Sequence, residues 1–95
     1  MQNKYETIMV LNTKLDEEAS AKLVSKFTDM ISANGTVESV ETWGKKRLAY
    51  EINDETEGNY TLVNFTADTD FIAELNRVYA ITDGLLRTIV VRKEQ

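Results

Sequence analysis

The run Thr36-Val37-Glu38-Ser39-Val40-Glu41-Thr42-Trp43-Gly44-Lys45-Lys46-Arg47-Leu48-Ala49-Tyr50-Glu51-Ile52 reads as one long strand. The polar stretch Asn53-Asp54-Glu55-Thr56-Glu57-Gly58 after it reads as a hairpin loop, and residues 60–67 alternate again as the returning strand. Within the long strand the apolar parity changes. Val37 and Trp43 occupy odd positions, whereas Leu48, Tyr50 and Ile52 occupy even ones. Gly44 lies at the switch and is the natural site of a bulge that re-aims the side chains.

The flanks of this hairpin complete the pattern. Residues 5–11 are apolar enough for a central strand, and Asn12-Thr13-Lys14 breaks it. A helix is predicted from Asp16 as N-cap, with Glu17 and Glu18 in the first turn, where the helix dipole favours anions. Ala19, Leu23, Phe27, Met30 and Ile31 recur at helical spacing, and Asn34-Gly35 supplies the stop. A second helix capped by Asp68 or Thr69 carries Ile72, Leu75, Val78 and Tyr79; Asp83-Gly84 ends it, and residues 85–93 form the last strand. The order is βαββαβ, the split βαβ pattern of ferredoxin-like α+β domains. Right-handed crossovers put both helices on one side of a four-stranded antiparallel sheet and leave the other side uncovered.

That uncovered side carries too many apolar groups. Ile8 and Val10 on the first strand, and Ile89 and Val91 on the last, have the parity opposite to Met9, Leu11 and Val90, so aliphatic residues point both ways. The second row suits a partner surface, and it also suits ordinary scattered exposed aliphatics. In the usual ferredoxin-like order, strands two and four are the sheet edges.

The chain has 95 residues, a formal net charge of −5, 42% hydrophobic residues, no Pro and no Cys. That length predicts one domain over residues 1–95, and the composition is far from the disordered classes. Without Cys there are neither disulfides nor thiolate metal sites, and the apolar runs are too short to span a membrane. A cytoplasmic protein is expected. Against the acidic background, Lys45, Lys46 and Arg47 form a local cationic site suited to docking on nucleic acid. The same three cations also suit an edge strand that discourages edge-to-edge pairing. Arg87, Arg92 and Lys93 on the last strand add three more cations, either RNA contacts or plain surface.

Catalysis finds no support. With no His and no Cys, neutral-pH acid–base work would fall to a strongly shifted carboxylate or Lys. The 16 acidic residues show no metal-ligand spacing, and the glycines form no phosphate-cradling loop, so no catalytic residue, metal, cofactor or small-molecule substrate is assigned. The run from Gly58 to Phe65 faintly resembles the third strand of an RNA-recognition motif, without its leading basic residue. The alternative from another class is a small-molecule sensing or dimerisation module on the same fold, without RNA binding.

Tyr5-Glu6, Leu11-Asn12, Trp43-Gly44-Lys45-Lys46-Arg47-Leu48-Ala49-Tyr50-Glu51-Ile52, Asp83-Gly84-Leu85-Leu86-Arg87 and Val90-Val91-Arg92 together resemble the family of the sixth protein of the bacterial small ribosomal subunit. The resemblance spans nearly the whole chain. It implies a ferredoxin-like fold, a structural role in the bacterial ribosome, and binding to the central domain of small-subunit rRNA as a heterodimer with the eighteenth small-subunit protein. On that reading Lys45, Lys46, Arg47, Arg87, Arg92 and Lys93 bind RNA, while Ile8, Val10, Ile89, Val91 and Trp43 meet the partner. Glu51 stands where the family usually has Pro, Gln2 and Asn3 where Arg is frequent, and Leu86 where a second cation often sits beside Arg87. Each departure removes positive charge or adds negative charge, which shifts weight from RNA toward the protein partner.

Overall fold

In a computed structural model, which describes residues 2–52 and 55–93, the chain forms six elements. They are β1 (Gln2–Asn12), α1 (Glu17–Asn34), β2 (Gly35–Ile52), β3 (Glu55–Asp68), α2 (Thr69–Ile81) and β4 (Leu85–Arg92). The sheet order is β2-β3-β1-β4, antiparallel at every pairing, so β2 and β4 are the edges as expected.

Local chemistry sets the helix ends. The Asp16 carboxylate accepts from the Ala19 backbone N–H at 2.7 Å, satisfying one of the orphan donors of α1. At the other end the stop falls at Asn34-Gly35, but Gly35 is extended, with φ −174°. The terminal turn is instead closed by the Asn34 amide, which donates to the Met30 carbonyl at 2.9 Å. Helix α2 starts after Asp68 and ends at Ile81, one turn residue short of Asp83-Gly84.

The hairpin differs from expectation. Glu55–Gly58 belong to β3 and not to a loop: Lys46 pairs with Gly58, Arg47 with Glu57 and Ile52 with Glu55. Asn53 and Asp54, the rest of the expected loop, lie outside the described residues. Polar residues tolerate strand conformation here because Lys46, Arg47, Thr56 and Glu57 are exposed, so their side chains need no apolar neighbours.

The core lies between the sheet and both helices. Tyr5, Met9 and Leu11 of β1 and Val63, Phe65 and Ala67 of β3 pack against Phe27 and Ile31 of α1 and Phe71, Leu75 and Tyr79 of α2. Phe71 was not anticipated as a core residue. The buried stripe of α2 is 71, 75 and 79, with Ile72 and Val78 partly buried on either side. Two threonines, Thr7 and Thr61, are buried on this side of the sheet among the described residues. Thr7 is fully buried, donates from Oγ1 to the Ile89 carbonyl at 3.0 Å, and lies 2.9 Å from the Tyr79 hydroxyl. The Thr7 and Tyr79 hydroxyls are thus partnered, and β1, β4 and α2 are tied at one point.

Truncating Leu75 to Ala removes a fully buried side chain and is expected to cost about 2–5 kcal/mol in chemical denaturation; a loss below about 1 kcal/mol would contradict the packing. Burial pushes the Tyr79 hydroxyl up to about 12, against a smaller opposing effect of the Thr7 hydrogen bond. An acid raised in the folded state contributes stability that is complete below the unfolded value of about 10 and is lost as pH climbs through the folded one. Unfolding free energy is therefore expected to be flat from about pH 6 to 8, where the chain has no His or Cys to titrate. Between about pH 10 and 12 it falls, and Tyr79→Phe is expected to remove about 2–3 kcal/mol of that fall. Parallel curves for the two proteins would show that Tyr79 is not the responsible group.

Candidate nucleic-acid interface

The face of the sheet away from the helices is ordered into rows by strand pairing. Its parity is that of Val10, opposite to the buried Met9 and Leu11. Crossing from β2 to β4, one row runs Gly44, Tyr60, Val10, Arg87. The next runs Glu41, Leu62, Ile8, Ile89, and the third Ser39, Asn64, Glu6, Val91. Polarity grades along the face: aromatic and aliphatic at the Gly44 end, hydrogen-bonded polar groups at the other. There the Asn64 amide donates to Ser39 Oγ at 3.0 Å and Thr66 Oγ1 to Glu38 Oε1 at 3.0 Å.

Gly44 makes the bulge that the change of parity implied. The register shifts between Thr42 and Gly44, and Gly44 has φ +80°, a left-handed conformation that glycine adopts without steric cost. The extra residue, Trp43, is thereby turned onto the open face. Its ring stacks with Tyr60 at 6.4 Å between centroids and 14° between planes, and Lys46 Nζ lies 4.8 Å from its centroid. Trp43 nonetheless remains 42% exposed. Two further register shifts, at Val37/Ser39 and Arg47/Ile52, interrupt β2.

The cations separate by strand alternation. Lys46, opposite Gly58, shares the open face with Trp43. Lys45 pairs with Asn59 on the helix side, and Arg47 has the same parity as Lys45. On β4, Arg87 lies opposite Val10 on the open face, whereas Arg92 lies opposite Tyr5 on the helix side and donates to Asn3 Oδ1 at 2.9 Å. The Lys93 N–H donates to the Lys4 carbonyl at 2.8 Å, near the polar end of the sheet. The two basic edges therefore meet only in part. Lys46 and Arg87 border one aromatic row, across three strand spacings of about 14 Å, while Lys45, Arg47, Arg92 and Lys93 lie elsewhere. None of Lys45, Lys46, Arg47, Arg87 and Lys93 is held by a carboxylate among the described residues, whereas Arg77 is engaged by Glu74, its Nε 3.0 Å from Oε2.

The aliphatic residues divide too. Ile8 and Ile89 are half-buried neighbours directly opposite each other, and Val91 is 51% exposed. Val10 is only 2% exposed. Gly58 passes so close to it that a Cβ there would run into Val10 Cγ1, and Leu48 lies over the same spot. Val10 is thus the floor of the open face and Ile8, Ile89 and Val91 its accessible part. Tyr60, absent from the residues singled out in the sequence, is central to the row. Its signal was weak, because Tyr60 and Leu62 on one parity face Val63 and Phe65 on the other, so apolar groups point both ways along β3.

On the other side of the sheet a cleft of about 800 Å³ opens beneath the first half of α1, lined by Leu11, Leu15, Ser20, Val24, Thr42 and Lys45 among others. Among the described residues no group of three or more acidic side chains is placed to hold a metal ion, and no helix is long and apolar enough to cross a membrane.

An antiparallel ferredoxin-like sheet whose edge cations meet no carboxylate among the described residues, with aromatic and aliphatic groups on part of its open face, defines an RNA-associated protein more readily than an enzyme. Comparison with known proteins gives the particular one: residues 4–92 match the family model described as Ribosomal protein S6, and the chain belongs to that family. It is 54% identical over 93 residues to the small ribosomal subunit protein bS6 of Clostridium perfringens strain 13, covering 97% of this chain and 98% of that one. It is 50% identical over 92 residues to the bS6 protein of Clostridium botulinum strain 657, covering 96% and 98% respectively. The crystal structure of 30S ribosomal protein S6 from Thermotoga maritima superposes with a TM-score of 0.92 at 28% identity, over 98% of this chain and 89% of that one. The chain is accordingly a structural protein of the bacterial small ribosomal subunit, cytoplasmic with the ribosome, in a family of non-enzymes.

Proposed function

We propose that the chain holds the central domain of small-subunit rRNA as one half of a heterodimer with the eighteenth small-subunit protein. The observation that supports the reading is the pairing of two features on one molecule: cations at both sheet edges that meet no carboxylate among the described residues, and an aliphatic strip of Ile8, Ile89 and Val91 on the open face of β1 and β4. Phosphate contacts from Lys45, Lys46 and Arg47 on one edge, and from Arg87, Arg92 and Lys93 on the other, orient the protein on RNA without reading sequence. An edge strand suits this task, because alternate side chains fan out to both sides of a rim that no neighbouring strand covers.

The partner follows from charge. A chain at −5 is repelled by polyanions at long range, and its few local cations oppose that only within a Debye length of about 8–10 Å. A basic protein docked on the aliphatic strip cancels the excess acid and covers exposed apolar area in the same step. Trp43, also read as a partner contact, stands one row away from that strip, beside Lys46.

Replacing Lys45, Lys46 and Arg47 together by Ala is expected to weaken rRNA binding of the assembled pair uniformly and to flatten the slope of log affinity against log salt by roughly 2 to 3. An unchanged slope would leave these residues with edge protection alone. Ile89→Asp is expected to abolish the heterodimer in analytical ultracentrifugation while the circular dichroism of the isolated chain is retained. A heterodimer indifferent to that change would rule out docking at the Ile8–Ile89 strip.

A further inference from the structure

Trp43 and Tyr60 form an aromatic pair that phosphate binding and aliphatic docking leave unused, with Lys46 beside it and Arg87 at the far end of its row. Trp43 is a large apolar ring with nearly half of its surface exposed, although Leu48 and Val10 nearby show that this face buries apolar groups where it can. Its neighbours are another aromatic ring, stacked 14° from parallel, and an ammonium group 4.8 Å from its centroid. The row ends in a second cation, Arg87, and contains no carboxylate; toward the other end of the sheet the next row brings in Glu41.

A cationic protein surface is a poor match for this spot, because Lys46 and Arg87 flank it on both sides. An aliphatic protein surface would have to bury both charges without a counter-charge from this chain, which is costly. A nucleotide satisfies every group present. The base offers a flat ring to the aromatic pair, and the phosphates before and after it offer anions to Lys46 and Arg87. We infer that Trp43 and Tyr60 form a stacking platform for one unpaired nucleobase of RNA, with Lys46 and Arg87 neutralising the flanking phosphates. The inference rests on the RNA-binding role proposed above and gives it a nucleotide class: a base free of its helix, held by its ring face and hence without selectivity for hydrogen-bonding edge. The Gly44 bulge is the device that makes the platform, since it alone turns Trp43 onto the face of Tyr60.

Trp43 is the sole tryptophan, so its emission reports the site directly. The chain assembled with its partner is titrated at moderate ionic strength with a single-stranded oligoadenylate and with an oligomer of equal length lacking its bases, following Trp43 fluorescence and the anisotropy of labelled oligomer. Quenching by the oligoadenylate and not by the baseless oligomer is expected. Trp43→Leu is expected to weaken oligoadenylate binding roughly 10- to 100-fold with little effect on the baseless oligomer, and Trp43→Tyr to restore most of the loss. Unchanged circular dichroism shows that the variants remain folded. Equal binding of both oligomers without change in emission would overturn the stacking platform while leaving the phosphate contacts of the proposed function standing. Binding of neither oligomer would overturn it as well. Loss of heterodimer formation in Trp43→Leu, with oligoadenylate binding intact, would assign the ring to the protein partner instead.

Discussion

The unbroken pairing of β1 with β3, from Gln2 opposite Asp68 to Asn12 opposite Gly58, is the constraint on which the other features depend. Because side chains alternate with period two, that single register assigns every residue of both central strands to a face. It sends Tyr5, Thr7, Met9 and Leu11 together with Val63, Phe65 and Ala67 under the helices, and leaves Ile8, Val10, Tyr60 and Leu62 on the other side. A slip of one residue would expose the core and bury the docking strip. The Thr7 hydroxyl helps to forbid it, since only the native register sets Thr7 at once beneath Tyr79 and against the Ile89 carbonyl.

The edges obey the opposite logic. With no long partner on their outer sides, β2 and β4 are free to shift register, and they do: three times in β2 and once where β4 meets Val10 and Leu11. Regularity in the middle and irregularity at the rim separate two jobs. The centre specifies the fold, and the bulged rim re-aims its side chains independently of it.

Much of this was legible in the chain itself. Asp16 followed by Glu17 and Glu18, and a glycine at the change of parity in β2, announced a cap and a bulge that the structure contains. The polar run Glu55–Gly58 has the composition of a loop because a strand announces itself by one apolar face, and Thr56 and Glu57 are exposed. Phe71 escaped because it is the third residue of α2, in a first turn whose residues are commonly exposed, and here it joins the core. The basic triplet could be seen, but not its division, since neighbours in sequence are on opposite faces of a strand. Nor could sequence alone show that Val10 is sealed beneath Gly58 and Leu48, a contact between segments more than 30 residues apart.

The interrupted edge of β2 bears on the time before assembly. A ribosomal protein is of use only once it meets its RNA, and until then each molecule carries a long strand with an unsatisfied outer ladder. A regular strand of that length would recruit a second copy edge to edge. The shifts at Val37/Ser39, Thr42/Gly44 and Arg47/Ile52 break that ladder into short pieces out of phase with one another, and Lys45, Lys46 and Arg47 add mutual repulsion between copies. The bulge that turns Trp43 outward thus also makes the edge of β2 a poorer template for a second copy than a regular strand of the same length.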